Sequence, residues 1–347
     1  MKQRNLNLDL IRVVATITVL SVHFFLNTSY YSTPLNNKIM YMGTLVRTAC
    51  MTCVPMFLLL TGYLMNKKEL SKNYYLKGGL NRVLIIYIIS TIVIWGYRSY
   101  ALNIEFSFAE IMKSMLKFEY YSWYIEMYIG LYLIIPFINI TYNALSYEQK
   151  KNMILILLSL TTIPFLVIID NSTIMPVFWR NMYPITYYLI GAFLCEYSDR
   201  LKLKSWYGFV LFIIGVFLGG TYNYRLSNGT TFIAGNWSSW GNMFNVIAAT
   251  GLFIFLLKLK LDRLPVLIKN IMGFVSKISL PAYLLSYVSD NILYPVLKNR
   301  LLEFGLQFRQ MPIMVLSSFS VALLLAVIVD FATTILIKMS RKFTKET

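Results

Sequence analysis

Ten apolar stretches, each about long enough to cross a bilayer core as a helix, recur along the chain near 8–26, 41–65, 80–97, 122–142, 152–170, 179–197, 206–224, 240–258, 278–296 and 312–337. The polar connections between them are mostly short, and no tandem repeat or Pro-rich linker interrupts the series. The pattern predicts an all-α polytopic membrane bundle of about ten transmembrane helices, a single domain over 1–347 with no appended soluble domain. Charge orients the bundle. With the N-terminus inside, 21 of the 32 Lys and Arg residues fall in inner segments, and an even helix count returns the C-terminus to the same side. Both termini are therefore expected in the cytoplasm.

Composition narrows the class. Hydrophobic residues make up 57% of the chain and charged ones 14%, which excludes an ordinary soluble enzyme. The net charge of +17 is accounted for by inner loops facing anionic lipid, so the bilayer and no nucleic acid is the implied partner. The first stretch is too long, and too charged at its start, for a cleaved signal peptide. Cys50 and Cys53 lie one helical turn apart among apolar neighbours, and with a single His in the chain neither a metal site nor a disulfide is expected. The abundance of Ile, Lys and Asn suggests an AT-rich bacterial gene, which places the protein in a bacterial cell membrane.

Against this apolar background a few polar groups stand out. The first span carries Asp9, Arg12 and His23, the only histidine. A charged residue near the middle of a membrane helix costs about 2.5–3.5 kcal/mol on insertion scales, so it usually faces the protein interior. Eleven residues bring His23 back to within about 20° of Arg12 on the helix, about 16 Å further along it. A cationic anchor near the inner face then looks along one stripe toward a titratable imidazole. The plainer reading is that Arg12 snorkels to headgroups and His23 packs helices.

Other spans add candidates. Pro55 in the second span frees a backbone carbonyl and predicts a kink or local unwinding, with Arg47 in the outer part. The inner loop 66–82 places Lys67, Lys68, Lys72, Lys77 and Arg82 around Gly78 and Gly79, a cradle for a polyphosphate or simply a charged inner loop. Glu126, near the outer end of the fourth span, is expected about 6 Å below the surface. A carboxylate there would orient His23 as a general base, or would pair with Arg47 or Arg98 for structure alone. The ninth span carries a polar stripe of Tyr283, Ser286, Tyr287 and Asp290. Residues 106–118 read as an interfacial amphipathic helix, and the outer loop 224–240 mixes amides, hydroxyls, glycines and Trp in a composition suited to a sugar or to headgroups.

Taken together, Leu8-Asp9-Leu10-Ile11-Arg12 with His23, Val54-Pro55-Met56-Phe57 with Thr61-Gly62-Tyr63-Leu64, Trp123-Tyr124 with Leu131-Tyr132-Leu133-Ile134-Ile135-Pro136, and Ser279 with Tyr283-Leu284 resemble the acyltransferase-3 family of membrane acyltransferases. The resemblance implies transfer of an acyl group, usually acetyl from cytoplasmic acetyl-CoA, to a hydroxyl of a carbohydrate acceptor. It places Arg12 and His23 on the family's Arg-x10-His motif and Arg82 on a basic position that handles CoA. Two positions depart from the family pattern. Thr61 stands where many members have Ser, and Ser286 stands where many have a second His, which leaves all imidazole chemistry to His23.

These readings combine into one expectation. Arg82 and Lys77 hold the CoA phosphates, Arg12 guides the pantetheine arm, His23 with Glu126 acts as base, and Arg47, Tyr283 and Ser286 serve the acceptor and the oxyanion. A capsule or secreted exopolysaccharide is the favoured acceptor. The alternatives are a transporter or flippase of polysaccharide intermediates and a non-catalytic partner in polymer assembly. The sequence leaves a homo-oligomer open.

Overall fold

A computed structural model describes residues 4–71, 74–75, 79–105, 107–165, 168–169, 172–173 and 177–346. The chain is an all-α bundle, and within the described residues its only ladder is the two-residue antiparallel pair Ile168–Ile169 with Ser172–Thr173. The first helix, α1, spans Leu6–Asn27, and the Asn5 side chain caps it by accepting from the backbone N–H of Asn7 and Leu8. The second apolar stretch is divided into α2 (Lys38–Cys50) and α3 (Cys53–Met65). Then follow α4 (Gly79–Leu102), the short α5 (Phe108–Leu116), α6 (Trp123–Ala144), α7 (Tyr147–Thr162) and α8 (Tyr183–Tyr197). The C-terminal half contains α9 (Ser205–Leu226), α10 (Met243–Leu257), α11 (Val266–Lys277), α12 (Ser279–Arg300), the short α13 (Phe304–Arg309) and the long α14 (Met311–Glu346).

Each of the ten expected spans overlaps a helix, but not all the helices are of bilayer length. Six are long and apolar enough to cross a membrane among the described residues, namely α1, α2 with α3, α4, α6, α9 and α14 to Met339. The pair α11 and α12, bent by 73°, makes a seventh if counted as one span. The other three, α7, α8 and α10, have 16, 15 and 15 residues, about 22–24 Å of helix against a core of about 30 Å. A window of bilayer length laid over each apolar run took in residues beyond the helix and so overstated its length.

Close backbone contact fixes two helix pairs. A Cβ on Gly62 of α3 would strike the carbonyl oxygen of Tyr188 in α8, and one on Gly191 of α8 would strike that of Leu59 in α3. The two glycines face each other's helix and allow a crossing without side chains between, the arrangement favoured where lipid offers no hydrophobic drive. Gly208 of α9 and Gly251 of α10 form a similar contact.

The break between α2 and α3 has a traceable cause. Pro55 has no N–H to donate to the carbonyl of Met51, four residues earlier. The Asn245 side-chain amide of α10 supplies the missing donor, with Nδ2 at 3.2 Å from that oxygen. The freed carbonyl is thus satisfied inside the protein, the condition under which a broken helix is tolerated in a membrane.

At the end of the bundle remote from the N-terminus, loop 227–242 is tied down by a bridge between Leu35 and Asn228, with Leu35 N–H donating to the Thr230 carbonyl at 2.8 Å. The Tyr187 hydroxyl holds the carbonyl of Trp240 at 2.7 Å. This loop roofs the space between the helices.

Candidate active site

A cavity of about 380 Å³ opens along α1. Arg12 and His23 both line it, so it runs for about three turns of that helix. The break between α2 and α3 adds Arg47, Met51 and Cys53, α6 adds Trp123, Tyr124 and Tyr128, α12 adds Ser279 and Tyr283, and the roof adds Tyr31 and Trp240. Among the described residues no Asp or Glu lines the cavity. The rest of the wall is mainly apolar, which strengthens charge interactions at either end.

The end near the N-terminus is a compact charge network. The Ser276 hydroxyl donates to Asp9 Oδ1 at 2.6 Å and accepts from Arg12 Nη1 at 3.0 Å. Arg4 donates to both oxygens of Asp9, at 2.5 and 3.1 Å, and to the Gly273 carbonyl. Ser276 reaches this network because the chain turns sharply at Ile278 between α11 and α12. Arg12 thereby keeps a fixed direction into the cavity while its charge is offset through one bridging hydroxyl.

The other end is built around His23, which is 5% exposed. Its Nδ1 lies 3.2 Å from Asp290 Oδ2 and 3.2 Å from Ser286 Oγ, both on α12. Asp290 is buried and accepts at Oδ1 from the Ser318 hydroxyl at 2.7 Å, and Ser318 is itself 2.8 Å from Ser289. Because the Ser286 hydroxyl donates to the Tyr283 carbonyl, it accepts from Nδ1–H, which leaves Nε2 unprotonated, the tautomer a general base needs, with the Asp290 carboxylate facing Nδ1 at ion-pair distance. Tyr121 stacks on the imidazole at 3.9 Å between ring centroids, and Asn27 donates to both the Tyr121 hydroxyl and the His23 carbonyl. Tyr120 and Tyr121 adopt left-handed φ of 56° and 69°, a conformation unfavourable for large side chains and held by surrounding contacts. One of those contacts is the Tyr283 hydroxyl, which donates to the Tyr121 carbonyl.

Several sequence assignments change. Glu126 is exposed and does not line the cavity. Tyr124 and Tyr128 do, and Glu126 lies about 200° around the helix from each, on the opposite face. The acid beside His23 is Asp290, the last residue of the polar stripe in the ninth span. Ser286 is fully buried behind the imidazole, with its hydroxyl donating to the Tyr283 carbonyl at 2.7 Å, so it orients His23 instead of meeting substrate. The Tyr283 ring lines the cavity, but its hydroxyl is committed to Tyr121 and is not free for an oxyanion. Arg82 does not line the cavity either. Its Nη2 is 2.5 Å from Asp330 on α14, whose other oxygen is 2.7 Å from Lys277. Lys77 lies outside the described residues. Arg47 is buried, donates Nε to the Tyr31 hydroxyl at 2.8 Å, and carries its guanidinium 4.3 Å from the Phe232 ring centre.

A buried imidazole beside a carboxylate lies at one end of a membrane cavity and a fixed arginine at the other, an arrangement suited to acid–base chemistry. Residues 5–331 match the acyltransferase domain of the acyltransferase-3 family, and the chain belongs to that family. The protein is a multi-pass membrane acyltransferase. No curated protein and no solved structure matches it.

Proposed function

We propose that this acyltransferase moves an acetyl group from cytoplasmic acetyl-CoA to a hydroxyl of a cell-surface or exported polysaccharide, in a bacterial cell membrane. The observation that carries the reading is a single cavity connecting Arg12, at the end expected to be cytoplasmic, with the His23–Asp290 pair about 16 Å along α1. A pantetheine arm entering past Arg12 brings its thioester toward His23, while CoA phosphates stay at the basic mouth, where Arg82 and Lys77 are the cations the sequence offers.

The chemistry follows from the imidazole. His23 Nε2 takes the proton of the acceptor hydroxyl as its oxygen attacks the thioester carbonyl carbon. Asp290 stabilises the imidazolium that forms, and Tyr121 and Ser286 hold the ring plane. The C–S bond breaks as the tetrahedral adduct collapses. The proton then passes to the departing thiolate, giving the O-acetyl ester, the CoA thiol and a neutral imidazole.

The test is polymer acetylation in a deletion host complemented with wild type, His23→Ala or Arg12→Ala at equal membrane expression. Restoration of the O-acetyl signal by wild type and failure of both variants is the expected result. Full restoration by His23→Ala would remove the imidazole mechanism. Unchanged acetylation with altered polymer export would point to a transporter.

A further inference from the structure

Arg47 differs from the other cations around the bundle interior. Arg12 is offset by Asp9 through Ser276, Arg82 and Lys277 share Asp330, and Lys150 pairs with Glu196 at 2.8 Å. Arg47 is only 6% exposed, yet no carboxylate lies within ion-pair distance of it among the described residues. Arg98 also lacks a carboxylate, but it sits against Tyr287 and Tyr120 and does not line the cavity. A buried cation is costly unless it is paired, and an ionisable group facing a cavity within a membrane bundle marks a place where a ligand passes or binds.

We propose that Arg47 binds a permanent anionic group, a carboxylate or a phosphate, carried by the carbohydrate acceptor, so that the acceptor is an acidic glycan. The inference rests on the acetyl-to-carbohydrate reading above and specifies its acceptor. Three observations place the anion on the acceptor. Phe232 belongs to the roof loop 227–242, remote from Arg12 and the N-terminus, so Arg47 is clamped from the side at which a glycan arrives. The clamp uses one face of the guanidinium and its Nε, leaving the terminal nitrogens for the paired hydrogen bonds that planar oxyanions accept. Arg47 lines both the main cavity and a side pocket of about 10 Å³, room for a single water, so only the main cavity admits a ligand group. A thioester oxyanion exists only in passing and would leave the buried charge uncompensated for the rest of the cycle.

The experiment measures binding of three trisaccharides to purified wild type, Arg47→Gln and Arg47→Lys in lipid nanodiscs without acetyl-CoA. The three are a galacturonate trisaccharide, its carboxyl-reduced galactose counterpart, and the galactose form bearing a phosphate. Wild type is expected to bind an acidic form at least about tenfold tighter than the neutral one, a gap of about 1.4 kcal/mol. The preferred acidic form separates carboxylate from phosphate. The gap closes in Arg47→Gln and narrows in Arg47→Lys, which keeps the charge but not the fork. Equal binding of charged and neutral forms by wild type, or a gap that survives in Arg47→Gln, overturns the proposal. An Arg47→Gln enzyme that loses kcat equally on neutral and acidic acceptors overturns it in favour of an oxyanion role. Absence of labelled acetyl on any glycan with wild type would instead defeat the acetyltransferase reading, since the binding comparison uses no acetyl donor.

Discussion

The Asp290→Asn substitution tests the centre of the proposed chemistry with little change of shape. The amide oxygen can still accept from Ser318, so the packing of α12 against α14 is kept. Two things are lost. The carboxylate oxygen that faces Nδ1 is replaced by an NH2, which leaves Ser286 alone to hold the tautomer with its proton on Nδ1. The carboxylate charge 3.2 Å from the imidazole also disappears. At an effective dielectric of about 20, that distance gives about 5 kcal/mol of stabilisation of the imidazolium formed in the transition state. At about 1.4 kcal/mol per decade, the expected loss in kcat is about 10³–10⁴-fold. The KM for acetyl-CoA should stay within about twofold, because Asp290 does not line the cavity. The assay is the initial rate of labelled acetyl transfer in membranes carrying each variant at equal expression. A variant that keeps kcat within about tenfold of wild type would refute the argument, and so would a rise in KM at constant kcat.

Other substitutions test the architecture and the corrected assignments. Glu126→Gln should leave acetyl transfer within about twofold of wild type, because the residue is exposed on the face of α6 turned away from the cavity; a loss like that of Asp290→Asn would restore it as the partner of His23. Asn245→Ala strands the Met51 carbonyl and should cost about 1–3 kcal/mol, read as a lower thermal midpoint in detergent. The cost should shrink when Pro55→Ala is present, since residue 55 then has a backbone donor; an equal loss in both backgrounds would disprove the coupling. Gly62→Ala drives a methyl into the Tyr188 carbonyl and should destabilise by about 1–3 kcal/mol, whereas Gly96→Ala, with nothing within 4 Å of the new Cβ, should not. Equal midpoints for the two glycine variants would show that the crossing of α3 and α8 relaxes.

The parts of the fold that follow from local rules were legible in the sequence. Hydropathy found helix in each of the ten expected stretches but placed none over α11, and the missing N–H of Pro55 announced the broken second span. The Arg12 to His23 register also needed only helix geometry, since both residues lie on one helix. Legibility failed where two helices had to be docked. Whether Glu126 or Asp290 faces His23 depends on the rotation of α6 and α12 about their own axes, and an isolated carboxylate in an apolar span gives no rotation. The stripe of Tyr283, Ser286, Tyr287 and Asp290 did contain that information, because residues at this spacing share a face, and that face is the one turned to His23. Helix length failed for a different reason. The stretches expected over α8 and α10 took in polar residues at their ends, Arg180 and Asn181 before α8 and Gly241, Asn242 and Lys258 around α10, so a window of bilayer length ran past the helix.

The two arginines of the cavity show how charge divides the proposed reaction between its ends. Arg12 already has Asp9 within its network, so a chain passing it meets a directed hydrogen-bond donor more than an unbalanced charge. That suits the uncharged amides of a pantetheine arm and leaves the highly charged CoA phosphates no reason to enter. Arg47 has no such offset, so the end near His23 favours a group that brings negative charge with it. A neutral arm from one side and an anion from the other then meet at the one imidazole. The arrangement also explains why Asp290 lies behind His23 and not in the cavity wall. A carboxylate facing the cavity would neutralise Arg47 and repel the same acceptor, while one behind the ring stabilises the imidazolium with Tyr121, His23 and Ser286 between it and the incoming charge.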